Sequence, residues 1–325
     1  MDRRTLLKAI AAACATAPLA VVAQPTNTPP RVGILLQTAT TASPTLRLLE
    51  PALRELGYTN GKDVALETRS SNGKPEALPG LAAELARRKV NVVVAVGPAA
   101  VEAAIGATRS IPIVAIDLES DPVSRGWVKS LARPGGNVTG LFLDHPTMAA
   151  KWLDLLRETV PGLRQVVFLW DSTTSVAPLE AAKAAARRFS ITARVVEIRS
   201  GDDIDATLNA GTVKGTQAII MLSAPTIYAA SAFIAEFTKR QQIPAISPFR
   251  PFAEAGGLMT YGPDLQYFFG RSAIYVDKVL KGEKVGQLPV ELPTKFEFVI
   301  NLKAAHALGV TVPQSLLLRA DEVIQ

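Results

Sequence analysis

Residues 117–144 read DLESDPVSRGWVKSLARPGGNVTGLFLD. The run before them, 111–116 (IPIVAI), has the apolar character of a strand and ends at Asp117. A helix-like segment follows at 123–131, then a turn made of Arg133, Pro134, Gly135, Gly136 and Asn137, then a second apolar strand at 138–143. On both sides the chain alternates strand and helix, so this stretch reads as a joint between two α/β units. The freedom of the two glycines assigns 135–137 to a hinge region. The carboxyl ends of strands in such units face the crevice where ligands sit.

Working back from the joint, 31–36, 63–69 and 90–96 read as strands, separated by helices at 45–56, 75–89 and 99–107. The strand at 63–69 alternates, whereas 31–36 and 90–96 are nearly continuous apolar runs, as in parallel sheets covered by helices on both faces. Working forward, strands at 165–170, 193–198, 218–222 and 244–247 alternate with helices at 147–159, 176–189, 202–211 and 227–240. A strand at 257–261, a helix at 265–280 and a tail of short elements close the chain. The fold class expected is α/β, with two doubly wound parallel-sheet lobes and a cleft between them.

The chain has 325 residues, 48% of them hydrophobic, enough for two lobes with separate cores. Its formal charge is +6, with Lys and Arg spread among acids and no concentrated basic patch, so no nucleic-acid partner is expected. Residues 1–23 read as a cleaved signal peptide. Arg3 and Arg4 precede a run of mostly small apolar residues, and Val21 and Ala23 stand where a leader is cut. Lys8 and Pro18 interrupt that run, which argues against a membrane anchor. DRRTLLK resembles a twin-arginine export signal, with a plain secretory leader as the alternative. Cys14 reads as a small leader residue, and cleavage leaves a chain without cysteine. The two histidines, His145 and His306, form no metal motif, and there is no G-x-S-x-G elbow, dinucleotide fingerprint or phosphate loop. No metal, no cofactor and no catalytic residue is expected.

Several stretches carry a family resemblance: DPV at 121–123, SLARPGGNVTG at 130–140, FAEAGGLMTYGPDL at 252–265, YVDKVLKGEKVGQLPVELPTKFEFVINLKAAHALGV at 275–310, and the closing LLLRADEVI. In these the chain resembles the periplasmic substrate-binding proteins of ABC transporters, in the branch that contains tryptophan- and phenylalanine-binding receptors. The resemblance implies a periplasmic binding protein-like fold whose lobes are joined by multiple crossovers. It places 31–145 in the first lobe, completed by 262–325, and 146–261 in the second. It also implies a monomeric receptor that captures a small organic solute, an amino acid or aromatic compound, and hands it to a membrane ABC permease. The alternatives are a sensory receptor serving a membrane signalling protein and an exported enzyme on the same scaffold.

Candidate ligand-binding residues are those that follow strands. In the first unit they are Gln37, Ser71, the turn Gly97-Pro98 and Asp117. Asp117 either accepts from an ammonium or hydroxyl, or bonds loop amides; Gly97-Pro98 either opens a helix N-terminus to an anion or makes a tight turn. In the second unit they are Trp170, Ser223, Tyr228, Phe249 and Tyr261, offering a hydroxyl and aromatic walls, with core packing as the other role of the rings. Arg250, in the loop SPFRPF, either pairs with a carboxylate or is solvated, and Asp264 caps the helix after it.

Overall fold

A computed structural model of the chain describes residues 28–325, apart from 42 and 202. The leader reading of 1–23, with Arg3, Arg4 and Cys14, lies outside the described residues. Strands β1 (Arg31–Leu36), β2 (Ala65–Ser70), β3 (Val92–Val96), β4 (Ile113–Asp117) and β5 (Val138–Phe142) form a parallel sheet in the order β2-β1-β3-β4-β5. Strands β6 (Gln165–Asp171), β7 (Thr192–Ile198), β8 (Ala218–Met221), β9 (Ala245–Ser247), β10 (Met259–Pro263), β11 (Phe296–Asn301) and β12 (Glu322–Ile324) form the second, in the order β12-β11-β10-β9-β8-β6-β7. Its strands are parallel except for the β10–β11 pair.

The continuous apolar strands are explained by helices on both faces. Val32, Ile34, Leu36, Val92, Val94 and Val114 share one core with Leu49 and Leu53 of the helix Thr45–Glu55 and with Phe268 and Val276 of the helix Leu265–Leu280. Their alternates Leu35, Val93, Ala95 and Ala115 pack on Leu78, Leu85 and Val101 from the helices Leu78–Arg87 and Pro98–Ala107. Successive side chains of a strand point to opposite faces, so a strand covered twice has no polar alternate.

Three segments depart from the sequence reading. Residues 123–131 form turns, not a helix: the Trp127 and Val128 amides both donate to the Pro122 carbonyl, and Gly126 takes a φ of 70° that ends any helical run. Residues 135–137 are not at the hinge. They precede β5, at the edge of the sheet away from the crossovers, where the Gly135 amide donates to the Gly286 carbonyl. The tail divides between the lobes. The helix Leu265–Leu280 and the turn after it pack on the first sheet, whereas β11 and β12 join the second, because the β10–β11 pairing brings the chain back. The chain therefore crosses between lobes three times, after β5, after β10 and before β11. The crossings lie side by side: the Phe142 amide donates to the Glu291 carbonyl and the Asp264 amide to the Lys295 carbonyl.

Trp152 fixes the helix His145–Thr159 onto the second sheet. Its ring is buried and its Nε1 donates to the Tyr261 carbonyl at 2.7 Å. Trp152→Phe removes that bond and leaves a small void, and should cost about 1–3 kcal/mol. Urea unfolding should show a lower midpoint with an unchanged slope, since the surface exposed on unfolding is the same.

Candidate functional site

The carboxyl ends of β1, β3 and β4 sit side by side, because Leu36 pairs with Val96 and Val96 with Ile116. The next residues on these strands, Gln37, Gly97 and Asp117, therefore form a row along one sheet edge. Gly97 takes a φ of 86° and opens the helix Pro98–Ala107. A Cβ there would stand 3.1 Å from the Pro225 side chain of the other lobe and 3.6 Å from Gln37 Oε1, so glycine permits both the turn and the approach. The opposing wall follows β8 and β9: Ala224, Pro225 and Tyr228, then Phe249, whose ring meets Tyr228 edge-on at 5.3 Å. Leu265, Phe268 and Phe269 of the helix Leu265–Leu280 close the remaining side. The cavity so formed leaves about 60 Å³ to the centres of water-sized spheres, several times the roughly 10–15 Å³ that one water needs.

Its polar part is acidic. Asp117 and Glu119 are both buried, and the Glu119 amide donates to Asp117 Oδ1 at 2.8 Å. Ser223 Oγ reaches across from the second lobe and donates to Glu119 Oε1 at 2.5 Å. Burial pushes the Glu119 carboxyl well above the usual carboxylate range, and the adjacent Asp117 charge adds to the rise; burial also raises Asp117. Among the described residues, neither Lys nor Arg lines this cavity. Asp117 Oδ2, Gln37 Oε1 and Ser120 Oγ are buried without a hydrogen-bond partner among the described residues, a costly condition for polar groups. At the rim, a second and more polar hollow shares Tyr228 and Leu265 with the first and contains Arg47 and Glu254.

Gln37, Gly97, Tyr228 and Phe249 thus line the cavity, and Asp117 and Ser223 act at its acidic end. Ser71 supports it: its Oγ donates to the Gln37 carbonyl at 2.7 Å and pins that loop. Pro98 is the buried first residue of the helix behind Gly97. Trp170 and Tyr261 are elsewhere. The Trp170 Nε1 donates to the Ser175 carbonyl, and Tyr261 stacks on Phe296 at 5.9 Å within the second lobe. Arg250 is engaged by Glu254, Glu297 and Glu322 of its own lobe, and Asp264 caps its helix by accepting from the Tyr267 amide. Glu119, Leu265, Phe268 and Phe269 were not anticipated. Glu119 stands in the bend just beyond β4, where its amide folds back onto Asp117, and strand periodicity gives no signal for it.

Among the described residues no group of His, Cys, Asp and Glu is arranged to hold a metal, and no helix is long and apolar enough to cross a membrane. Curated and solved proteins resemble the chain over most of its length. A tyrosine-binding protein of Clostridioides difficile is 24% identical over 277 residues, covering 83% of this chain and 79% of the relative. A solved conserved domain protein from Vibrio cholerae superposes with a TM-score of 0.85 at 25% identity, over 91% of this chain and all of the other. A domain from Streptococcus pneumonia solved in complex with L-Trp gives 0.83, again at 25% identity and the same coverage. The family model described as ABC transporter substrate binding protein matches residues 45–324. Two α/β lobes closed on a cavity at their strand ends are what such a receptor requires, and the chain belongs to the family of ABC transporter substrate-binding proteins.

Proposed function

We propose that this receptor captures an amino acid with an aromatic or other large apolar side chain and delivers it to a membrane ABC permease. It works as a monomer in the periplasm after loss of its leader, and performs no chemistry on its cargo. One observation carries the reading: the buried Glu119, backed by the equally buried Asp117, stands in a largely apolar chamber, and among the described residues no Lys or Arg lines it. An ammonium group supplies the missing cation. Its three N–H donors match Gln37 Oε1 and Asp117 Oδ2, which are left open there, together with the Glu119 carboxylate. The ligand carboxylate meets the start of the helix Pro98–Ala107, where the amides of Ala99 and Ala100 lie in the first turn. Phe249, Phe268, Phe269 and Tyr228 surround the apolar body. The tyrosine and L-Trp in the names of the two relatives support the same class of ligand. A solute of that size enters only when the lobes part, and contacts with both walls then favour the closed state.

A thermal-shift screen tests this. L-Tryptophan, L-tyrosine, L-phenylalanine and L-leucine are compared with the corresponding acids that lack the amino group. At least one amino acid should stabilise the protein, by about 2.7 kcal/mol at a hundred times its Kd, and its deaminated analogue should not. Equal stabilisation by the two would remove the ammonium site from the reading.

A further inference from the structure

The contact between Glu119 and Ser223 joins the lobes directly, and it does so through a carboxyl group sealed beside a second one. We propose that Glu119 is a proton-operated latch: carrying a proton it holds the cleft closed through Ser223, and on losing the proton it lets the lobes part. The inference rests on the reading of this cleft as the solute site, and it names how access to that site is regulated.

The groups facing Glu119 support a neutral carboxyl in the closed form. Asp117 and Ser120 come from its own segment, Ser223 from the loop after β8, and Gln37 and the Tyr228 phenol lie in the same cavity. Arg47 stands beside Tyr228, at the rim. Ser223 donates to one Glu119 oxygen, which leaves the other free to carry the proton. A second negative charge, sealed next to Asp117 with one hydroxyl for company, loses its hydration without gaining a counter-ion, and that cost exceeds what one hydrogen bond returns. Opening the cleft restores the hydration. Burial and the Asp117 charge both displace Glu119 upward, so the switch falls above the ordinary carboxylate range. The sign follows: closure is complete below the pKa of the open form and is lost as pH rises through the raised pKa of the closed form. An ammonium takes the place of the proton, so a cargo amine closes the receptor at a pH where the empty one stands open.

The test uses no solute, so it stands or falls separately from the identity of the cargo. Spin labels are attached through Lys62→Cys and Arg240→Cys in a Cys14→Ser background. These exposed positions precede β2 and β9, at the sheet edges away from the cleft. Between about pH 4 and pH 9, a span bracketing ordinary and raised carboxylates, the label separation should lengthen as pH rises. Glu119→Gln should hold the short separation throughout, and Ser223→Ala should favour the long one even at the acid end. A separation that does not change with pH, or a pH response that persists undiminished in Glu119→Gln, overturns the proposal. Should Glu119→Gln fail to fold, the wild-type and Ser223→Ala profiles decide: coincident curves also overturn it.

Discussion

A Glu119→Ala receptor should bind the proposed amino acid ligand about thirty-fold to several thousand-fold more weakly than the natural chain. Removing one side of a buried, hydrogen-bonded charge pair costs about 2–5 kcal/mol, and about 1.4 kcal/mol is a factor of ten in affinity. Glu119 is buried, its only cross-lobe partner among the described residues is the Ser223 hydroxyl, and in the proposed complex its charge meets the ligand ammonium. Truncation leaves that ammonium with Asp117 and Gln37 alone. The natural comparison is Tyr261→Ala. Tyr261 stacks on Phe296 and packs edge-on against Phe298, away from the cavity, so its loss should lower stability and leave affinity within a few-fold. Calorimetry on folded protein reads both. Unchanged affinity in Glu119→Ala, or a large loss confined to Tyr261→Ala, would move the recognition site away from Glu119 and toward β10.

The largest effect on stability is expected at Gly140. It lies in β5 with a φ of 140°, and a Cβ built there falls 2.0 Å from the Ala115 carbonyl oxygen and 2.6 Å from the Ala115 nitrogen. Both are backbone atoms of the neighbouring strand, so no side chain can rotate away. Its own carbonyl accepts from the Glu291 amide, which ties the first sheet to the third crossover. Gly140→Ala must therefore separate β4 from β5 or break that tie, and a loss beyond about 4 kcal/mol is expected, in the range kept for severe backbone or core damage. Gly106→Ala gives the contrast. It sits in the helix Pro98–Ala107 with no described residue within 4 Å of the added methyl, and should stabilise by roughly 0.5–1 kcal/mol. Paired denaturant titrations measure both. Equal midpoints for Gly140→Ala and the natural chain would refute the packing argument.

The sheets were legible in the sequence because their central strands, such as β1, β3, β4 and β8, are covered on both faces and are nearly pure runs of apolar residues. The row Gln37, Gly97 and Asp117 was legible for a related reason: in a parallel sheet every strand ends at the same edge, so strand ends alone locate the crevice. What could not be read was the path of the tail. Phe296–Asn301 has the same apolar pattern whether it joins one sheet or the other, and only its antiparallel pairing with β10 decides. The aromatic side of the cavity was missed because Phe268 and Phe269, on an amphipathic helix, read as core residues, and they are core residues as well as lining. Trp170 and Tyr261 were drawn to the cleft by the same strand-end rule, but Ser175 and Phe296 engage them locally.

The threefold crossing also sets an order of events during synthesis. The first sheet is complete in sequence at Phe142, yet the helix that covers one of its faces, Leu265–Leu280, is made after nearly all of the second lobe. Until it emerges, Leu36, Val94 and Ile116 have lost half of their shelter, and the nascent chain carries an open apolar face that chaperones recognise and that aggregates when left alone. The first lobe is thus first to be translated and among the last parts to be finished. A chain cut between Phe142 and Leu265 carries every strand of that lobe and still lacks the helix that covers one of its faces.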